Sequence, residues 1–160
     1  MYFNRAGRQS VLNTAMAAVN RSALVTFSPE QMFNLVDAVE DYPAFLPWCA
    51  GTEVTYRDAA ITRAALRISY RGIRQAFTTE NHKQYPEIMT LRLVEGPFRT
   101  LDGEWRFTRL GTDGCRIDFR LDYEFSNKLL EKIAGPVFGY IAGTLVDSFL
   151  KRADQLYSRH

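Results

Sequence analysis

The chain has 160 residues, 46% of them hydrophobic and 24% charged, with a formal net charge of +2; that length suits one domain with its own core, and that charge is too small to argue for a nucleic-acid partner by itself. Its two cysteines, Cys49 and Cys115, make neither a disulfide framework nor a zinc site, and no metal or cofactor is expected. No apolar run reaches the roughly 18 residues of a membrane span and no secretory pattern opens the chain, so a cytoplasmic setting is expected.

Residues 1–18 carry Arg5 and Arg8 and no acid. They read as a disordered extension or a start upstream of Met16, with an organelle transit peptide as the alternative. A single domain is expected over 19–160. Arg21–Phe27 reads as a strand. Ser28-Pro29-Glu30-Gln31 is a helix start, with Ser28 as N-cap, Pro29 in the first helical position and Gln31 in the third. The helix it opens places Met32, Phe33, Leu35 and Val36 at helical spacing and is expected to end near Asp41-Tyr42-Pro43.

From about Thr52 to Phe125 the period becomes two. Ala64, Leu66, Ile68 and Tyr70 share one face, and Arg63, Arg67 and Arg71 the other. Leu101, Gly103, Trp105 and Phe107 form a second inward set, and Cys115, Ile117, Phe119, Leu121, Tyr123 and Phe125 a third. Such alternation predicts an antiparallel sheet, dry on one side. After Ser126-Asn127 the period returns to 3.6 and runs to about Tyr157, with no charge between Ile133 and Val146. Pro136 is expected to kink or restart this helix.

The fold class predicted is α+β: a curved antiparallel sheet of six to seven strands wrapped around a long C-terminal helix, with two short helices after the first strand. A sheet about 30 Å wide cannot be covered by one helix about 10–12 Å across unless it curls, and curled sheets leave internal space for a ligand. The walls are expected from Tyr42, Phe45, Leu46 and Trp48 of a proline-bounded segment that would act as a gate. Further wall residues are Leu66, Ile68, Gln75, Phe77, Trp105 and Phe119 of the sheet, and Val137, Ile141 and Leu145 of the helix. Extending the inward set of Ile73–His82 points Gln75, Thr79 and Asn81 at the dry face, either as a polar end to the cavity or because that strand is an edge or of opposite parity. Gly135, Gly139 and Gly143 recur every four residues, for close packing or for ligand room.

Catalytic signatures are absent: no glycine-rich phosphate loop, no nucleophile elbow, and only His82 and His160 among histidines. The chain is therefore read as a binding protein rather than a catalyst. Arg57, Arg63, Arg67, Arg71 and Arg74 lie within 18 residues that hold one acid, Asp58. They form either a solvated outer face or a contact for anionic lipid headgroups or RNA phosphates.

The runs Arg21-Ser-Ala-Leu-Val, Gln31-Met-Phe-Asn-Leu-Val and Tyr42-Pro-Ala-Phe-Leu-Pro-Trp-Cys49 resemble the coenzyme Q-binding START-like family. So do Glu95-Gly-Pro-Phe98, Gly103-Glu-Trp-Arg-Phe107 and Asp122-Tyr-Glu-Phe-Ser-Asn-Lys128, and together the match covers about 19–157. The resemblance implies a helix-grip fold and a hydrophobic tunnel. Its ligand would be ubiquinone or a similar polyprenyl lipid, held in support of respiration by a monomer that visits the inner membrane transiently. The same family includes bacterial RatA-type toxins, which are said to bind the ribosome and block joining of its subunits; that is the alternative function. A cyclase-like enzyme acting on a hydrophobic substrate is the third.

Overall fold

The computed structural model describes residues 16–158. Seven strands are formed: β1 (Ala17–Val25), β2 (Cys49–Arg57), β3 (Ile61–Tyr70), β4 (Ile73–Gln84), β5 (Ile88–Glu95), β6 (Phe98–Leu110) and β7 (Gly114–Phe125). They make one antiparallel sheet in the order β1-β7-β6-β5-β4-β3-β2. Strand β1 pairs with the last strand, and β2 lies at the opposite edge. The chain between these edges forms two short helices, α1 (Pro29–Asp37) and a 3-10 helix (Val39–Ala44). The C-terminal helix α2 (Lys128–Tyr157) packs against β7, β1, β4 and α1. This is the antiparallel sheet that the alternation predicts, closed by the C-terminal helix in the helix-grip arrangement that the resemblance implies.

The period-two pattern sets the faces. Cys115, Ile117, Phe119, Leu121, Tyr123 and Phe125 are all buried, as are Leu101, Trp105 and Phe107. The charged residues between them face out. Burying each large apolar side chain contributes about 1.5–3 kcal/mol. Pairing in β1 begins at Ala17, opposite Tyr123, two residues ahead of the expected domain start; the extension itself, residues 1–15, lies outside the described residues.

Local chemistry explains the helix ends. Ser28 accepts from the Gln31 amide at 3.1 Å while the Gln31 side chain accepts from the Ser28 amide at 2.9 Å, a complete capping box. Asn127 caps α2 by accepting from the Leu130 amide. Three expectations are corrected. Helix α1 ends at Asp37, where Ala38 leaves helical geometry, and Tyr42 and Pro43 fall inside the 3-10 helix. Helix α2 does not restart at Pro136 but continues through it; Pro136 and Lys132 are both exposed, so water can satisfy the carbonyl that proline leaves unpaired. The β3–β4 hairpin turns at Arg71 (φ 49°) and Gly72 (φ 82°), the positive φ pair of a primed turn. Arg71 therefore sits in the turn and not on the strand face.

The glycines of α2 also depart from expectation. A Cβ on Gly139 would come no closer than 3.9 Å to the Tyr123 hydroxyl, and one on Gly143 would meet nothing within 4 Å. They serve neither a close sheet backbone nor the cavity. The Gly143 carbonyl accepts from Arg21 Nη1 at 2.7 Å, and Arg21 also pairs with Asp147 at 2.8 Å, tying α2 to β1. By length and composition α2 is apolar enough to cross a membrane, with a third of its most apolar window buried; here it packs against the sheet.

Candidate functional site: an apolar cavity and a basic hairpin tip

Between the sheet and α2 lies a cavity of about 80 Å³. The sheet contributes Ala64 and Leu66 from β3, Phe77, Thr79 and Asn81 from β4, Leu91 from β5, Leu101 and Trp105 from β6, and Phe119 and Leu121 from β7. Helix α2 adds one stripe: Phe138, Ile141, Ala142, Leu145 and Phe149. Val39, Tyr42 and Trp48 close the end. Phe149 stands among Tyr42, Phe45 and Trp105 with ring centroids 5.3–5.4 Å away in edge-on geometry, an arrangement that fixes rotamers.

Of the expected wall residues, Tyr42, Trp48, Leu66, Phe77, Trp105, Phe119, Ile141 and Leu145 line this cavity. Ile68, Gln75 and Val137 line a much smaller neighbour of about 10 Å³, which shares Phe77 and Phe138 with the first. Leu46 is sealed in the core, and Phe45 backs the wall through Phe149 and stacks under the Arg152 guanidinium. The aromatics of the Tyr42–Cys49 segment thus face inward, and its exposed positions include Pro43 and Pro47. Trp48 alone of them also lines an outer groove with Tyr70, Tyr140 and Lys151, so it is the partition between cavity and surface.

The polar groups in the wall are few. Strand β4 is interior to the sheet, with the inward parity expected. Thr79 donates to Asn81 Oδ1 at 3.0 Å. The Tyr42 hydroxyl donates to the Val36 carbonyl, and burial pushes its pKa well above the usual phenol range. No other ionisable side chain lines the cavity. Glu95 is exposed and does not line the cavity.

The lid formed by α1 and the 3-10 helix is fastened by charge. Asp37 accepts from Thr62 at 2.8 Å and from Lys83 at 3.1 Å. Arg57 forks onto Glu40 at 2.7 and 2.9 Å and reaches the Asp37 carbonyl at 2.7 Å. That guanidinium holds the Glu40 carboxyl down at about 2. Arg57 is therefore a structural residue.

The remaining arginines do not form the single row expected. Arg63 pairs with Glu80. Arg67, four residues and about 13 Å further along the strand, lies flat over Gly51, where a Cβ would come within 1.8 Å of its Nη2. Arg71 projects from the turn, its guanidinium 5.3 Å from the Tyr70 ring, and Tyr70 in turn stacks on the half-exposed Tyr140. Arg74 follows the turn on the exposed face. Among the described residues Arg67, Arg71 and Arg74 form no ion pair, whereas Arg21, Arg57, Arg63, Arg99, Arg106, Arg109, Arg116 and Arg120 each hold a carboxylate. Sequence alone could not tell Arg57 and Arg63 from the other three of the row, because their partners Glu40 and Glu80 lie 17 residues away.

Comparison with known proteins adds four findings. The sequence profile described as polyketide cyclase / dehydrase and lipid transport matches residues 25–150. The ribosome association toxin RatA of Escherichia coli K12 is 41% identical over 148 residues, 92% of this chain and 94% of the relative. A mitochondrial coenzyme Q-binding protein homologue of Xenopus laevis is 27% identical over 93% of this chain and 63% of that protein. Among solved structures, the Zhui aromatase/cyclase of a Streptomyces species superposes with a TM-score of 0.73 at 15% identity, covering 88% of this chain and 95% of the other; the likeness is one of fold.

Proposed function

Because the chain belongs to the polyketide cyclase / dehydrase and lipid transport family, we propose that it is a ribosome-association protein of the RatA kind, acting in the cytoplasm on the large ribosomal subunit to oppose subunit joining. The observation that carries this reading is the β3–β4 hairpin, where Arg67 on the strand and Arg71 and Arg74 at the tip form no ion pair among the described residues. Forked guanidinium groups suit phosphate oxygens, and an exposed tyrosine beside them suits an unstacked base. Arg71 holds a left-handed backbone that favours glycine or asparagine; an arginine kept there at a cost of about 1 kcal/mol supports a role for its charge. The relative named as a ribosome association toxin supports the same reading at 41% identity over nearly the whole of both chains.

This reading displaces the ubiquinone carrier of respiration favoured from the sequence. The coenzyme Q-binding relative is more distant, at 27% identity over 93% of this chain, than the ribosome association toxin at 41%. We further propose that the chain is not a catalyst, although the fold also serves a cyclase. General acid–base work needs a titratable group near the operating pH, and the cavity offers only Tyr42, whose proton is engaged by Val36 and made harder to lose by burial.

The test is co-sedimentation of the purified protein with isolated large and small subunits at several salt concentrations. Binding to the large subunit is expected. In the triple variant R67E/R71E/R74E it should be lost with the melting curve kept, and single neutral variants should each lower the slope of log affinity against log salt by about one unit. A parent protein that does not sediment with either subunit, or a folded triple variant that binds as the parent does, would overturn the proposal.

A further inference from the structure

Arg152, on the last third of α2, is half-buried, and its Nε is buried without a hydrogen-bond partner. Its guanidinium lies 5.1 Å from the Phe45 ring centroid and holds no carboxylate among the described residues. A buried donor left in this state costs stability, so an acceptor from outside the protein is called for. Lys151 is exposed and likewise forms no ion pair among the described residues. It lines one end of the outer groove beside Trp48, a space of about 220 Å³. Arg152, four residues after Ser148 of the same groove, adjoins that end. At the other end stand Tyr70 and Tyr140, their rings stacked with 3° between the planes, with the Arg71 guanidinium over Tyr70. Tyr140 and Arg152 are about 18 Å apart along the helix.

Between its cationic ends the groove presents acceptors. Thr144 donates its proton to the Tyr140 carbonyl at 2.8 Å and Ser148 donates to the Thr144 carbonyl at 3.1 Å, so both hydroxyl oxygens keep lone pairs for a partner. Asp147 holds Arg21 through Oδ1, which leaves Oδ2. We infer that this groove binds a single-stranded RNA segment that continues from the hairpin tip, an inference that rests on the ribosome-association reading. Phosphates sit on Arg71 and on Lys151 with Arg152, and a base lies against Tyr140 with its amino group toward Thr144, Asp147 and Ser148. The chemistry sets the class. Cations at both ends of an aromatic groove suit a strand with repeated phosphates and unstacked bases, whereas a duplex keeps its base faces stacked inside. Acceptors in the wall favour a base edge that donates, as the cytosine amino group does, over one that presents a carbonyl. A membrane surface would answer the cations and leave these acceptors without donors.

Fluorescein-labelled octacytidylate and octauridylate, which carry equal charge and differ on the base edge, test it by fluorescence anisotropy, beside an RNA duplex of the same length. The parent is expected to bind octacytidylate about five- to tenfold more tightly than octauridylate, and the duplex more weakly than either. In T144V/S148A the preference should fall to about onefold. In K151M/R152M, which keeps an apolar stem over Phe45, octacytidylate binding should weaken about tenfold or more, with the melting temperature kept or raised and the slope of log affinity against log salt lower by about one to two units. Equal affinities for the two octamers in the parent, or a folded K151M/R152M that binds octacytidylate as the parent does, would overturn the assignment. So would binding to phosphatidylglycerol vesicles with none to either octamer. If K151M/R152M does not fold, Tyr140→Ala at its half-exposed position decides: octacytidylate binding weakened about fivefold or more supports the groove, and unchanged binding refutes it. The octamers report on the groove alone and sedimentation with the large subunit on the ribosome reading, so the failure of one is told from the failure of the other.

Discussion

Ala142 is the position from which the cavity can be filled by a single side chain. It is 1% exposed, lies in the middle of the α2 stripe and faces the void. Ala142→Leu adds three carbon atoms. If the space is there to receive them, burial gains about 0.8 kcal/mol each, or about 2.4 kcal/mol. Ordering the leucine costs about 0.5–1 kcal/mol, and its lower helix propensity about 0.2 kcal/mol. The net is about 1.2–1.7 kcal/mol of stabilisation, or a rise in Tm of about 2–7 °C for a chain of this size. In a filled core the same change would overpack and cost about 1–3 kcal/mol. The matched control is the next residue: a Cβ on Gly143 meets nothing within 4 Å, so Gly143→Ala should add about 1 kcal/mol through helix propensity alone and leave the cavity as it was. Thermal melts and acetylnaphthalene titrations of both variants are the assay. Raised Tm with binding weakened at least tenfold in Ala142→Leu, beside unchanged binding in Gly143→Ala, is expected. A destabilised Ala142→Leu that binds as the parent does would refute the claim that this stripe borders usable space.

Other consequences are as direct. Arg71→Gly should relieve the left-handed strain and raise Tm by about 2–4 °C while weakening large-subunit binding several-fold; loss of stability would show that the turn prefers arginine. Glu40 has its pKa lowered from 4.5 to about 2 by Arg57, so its stabilising share is full above about pH 4.5 and is lost as pH falls through about 2. With the Glu40 side chain 53% exposed, that share is about 1 kcal/mol, and the stability gap between the parent and Glu40→Gln should close over that window in urea unfolding. Cys115 is fully buried, and burial pushes its thiol up to about 11; Cys49 is buried and raised likewise. Neither should react with a thiol reagent near neutral pH faster than the protein unfolds, and rapid labelling of the native chain would count against the burial.

What could be read from the sequence follows from what periodicity measures. The alternation of Ala64, Leu66 and Ile68 fixed which way each side chain points, and that held. It could not say how far along the strand the helix crosses. Leu66 therefore reaches the main cavity and Ile68 the smaller one, and on α2 Ile141 and Leu145 line the main cavity while Val137 falls one step off the stripe that Phe138 occupies. Short-range signals held where the chemistry is local, as at Ser28 with Gln31 and at Asn127. Long-range pairing was invisible: Arg57 with Glu40 and Arg63 with Glu80 each span 17 residues, so an even-looking row of arginines concealed two structural members and three free ones. The α2 glycines misled because a missing side chain signals a need for space in only some contexts, and here it leaves open surface.

Subunit joining puts the proposed function to the most direct trial. Small and large ribosomal subunits are mixed under conditions that favour assembled ribosomes, with the parent protein or with R67E/R71E/R74E, and light scattering follows assembly. The parent should depress assembly in proportion to its occupancy of the large subunit, and the variant should leave it intact. Assembly that proceeds undiminished in the presence of saturating parent protein would contradict a ribosome-association role.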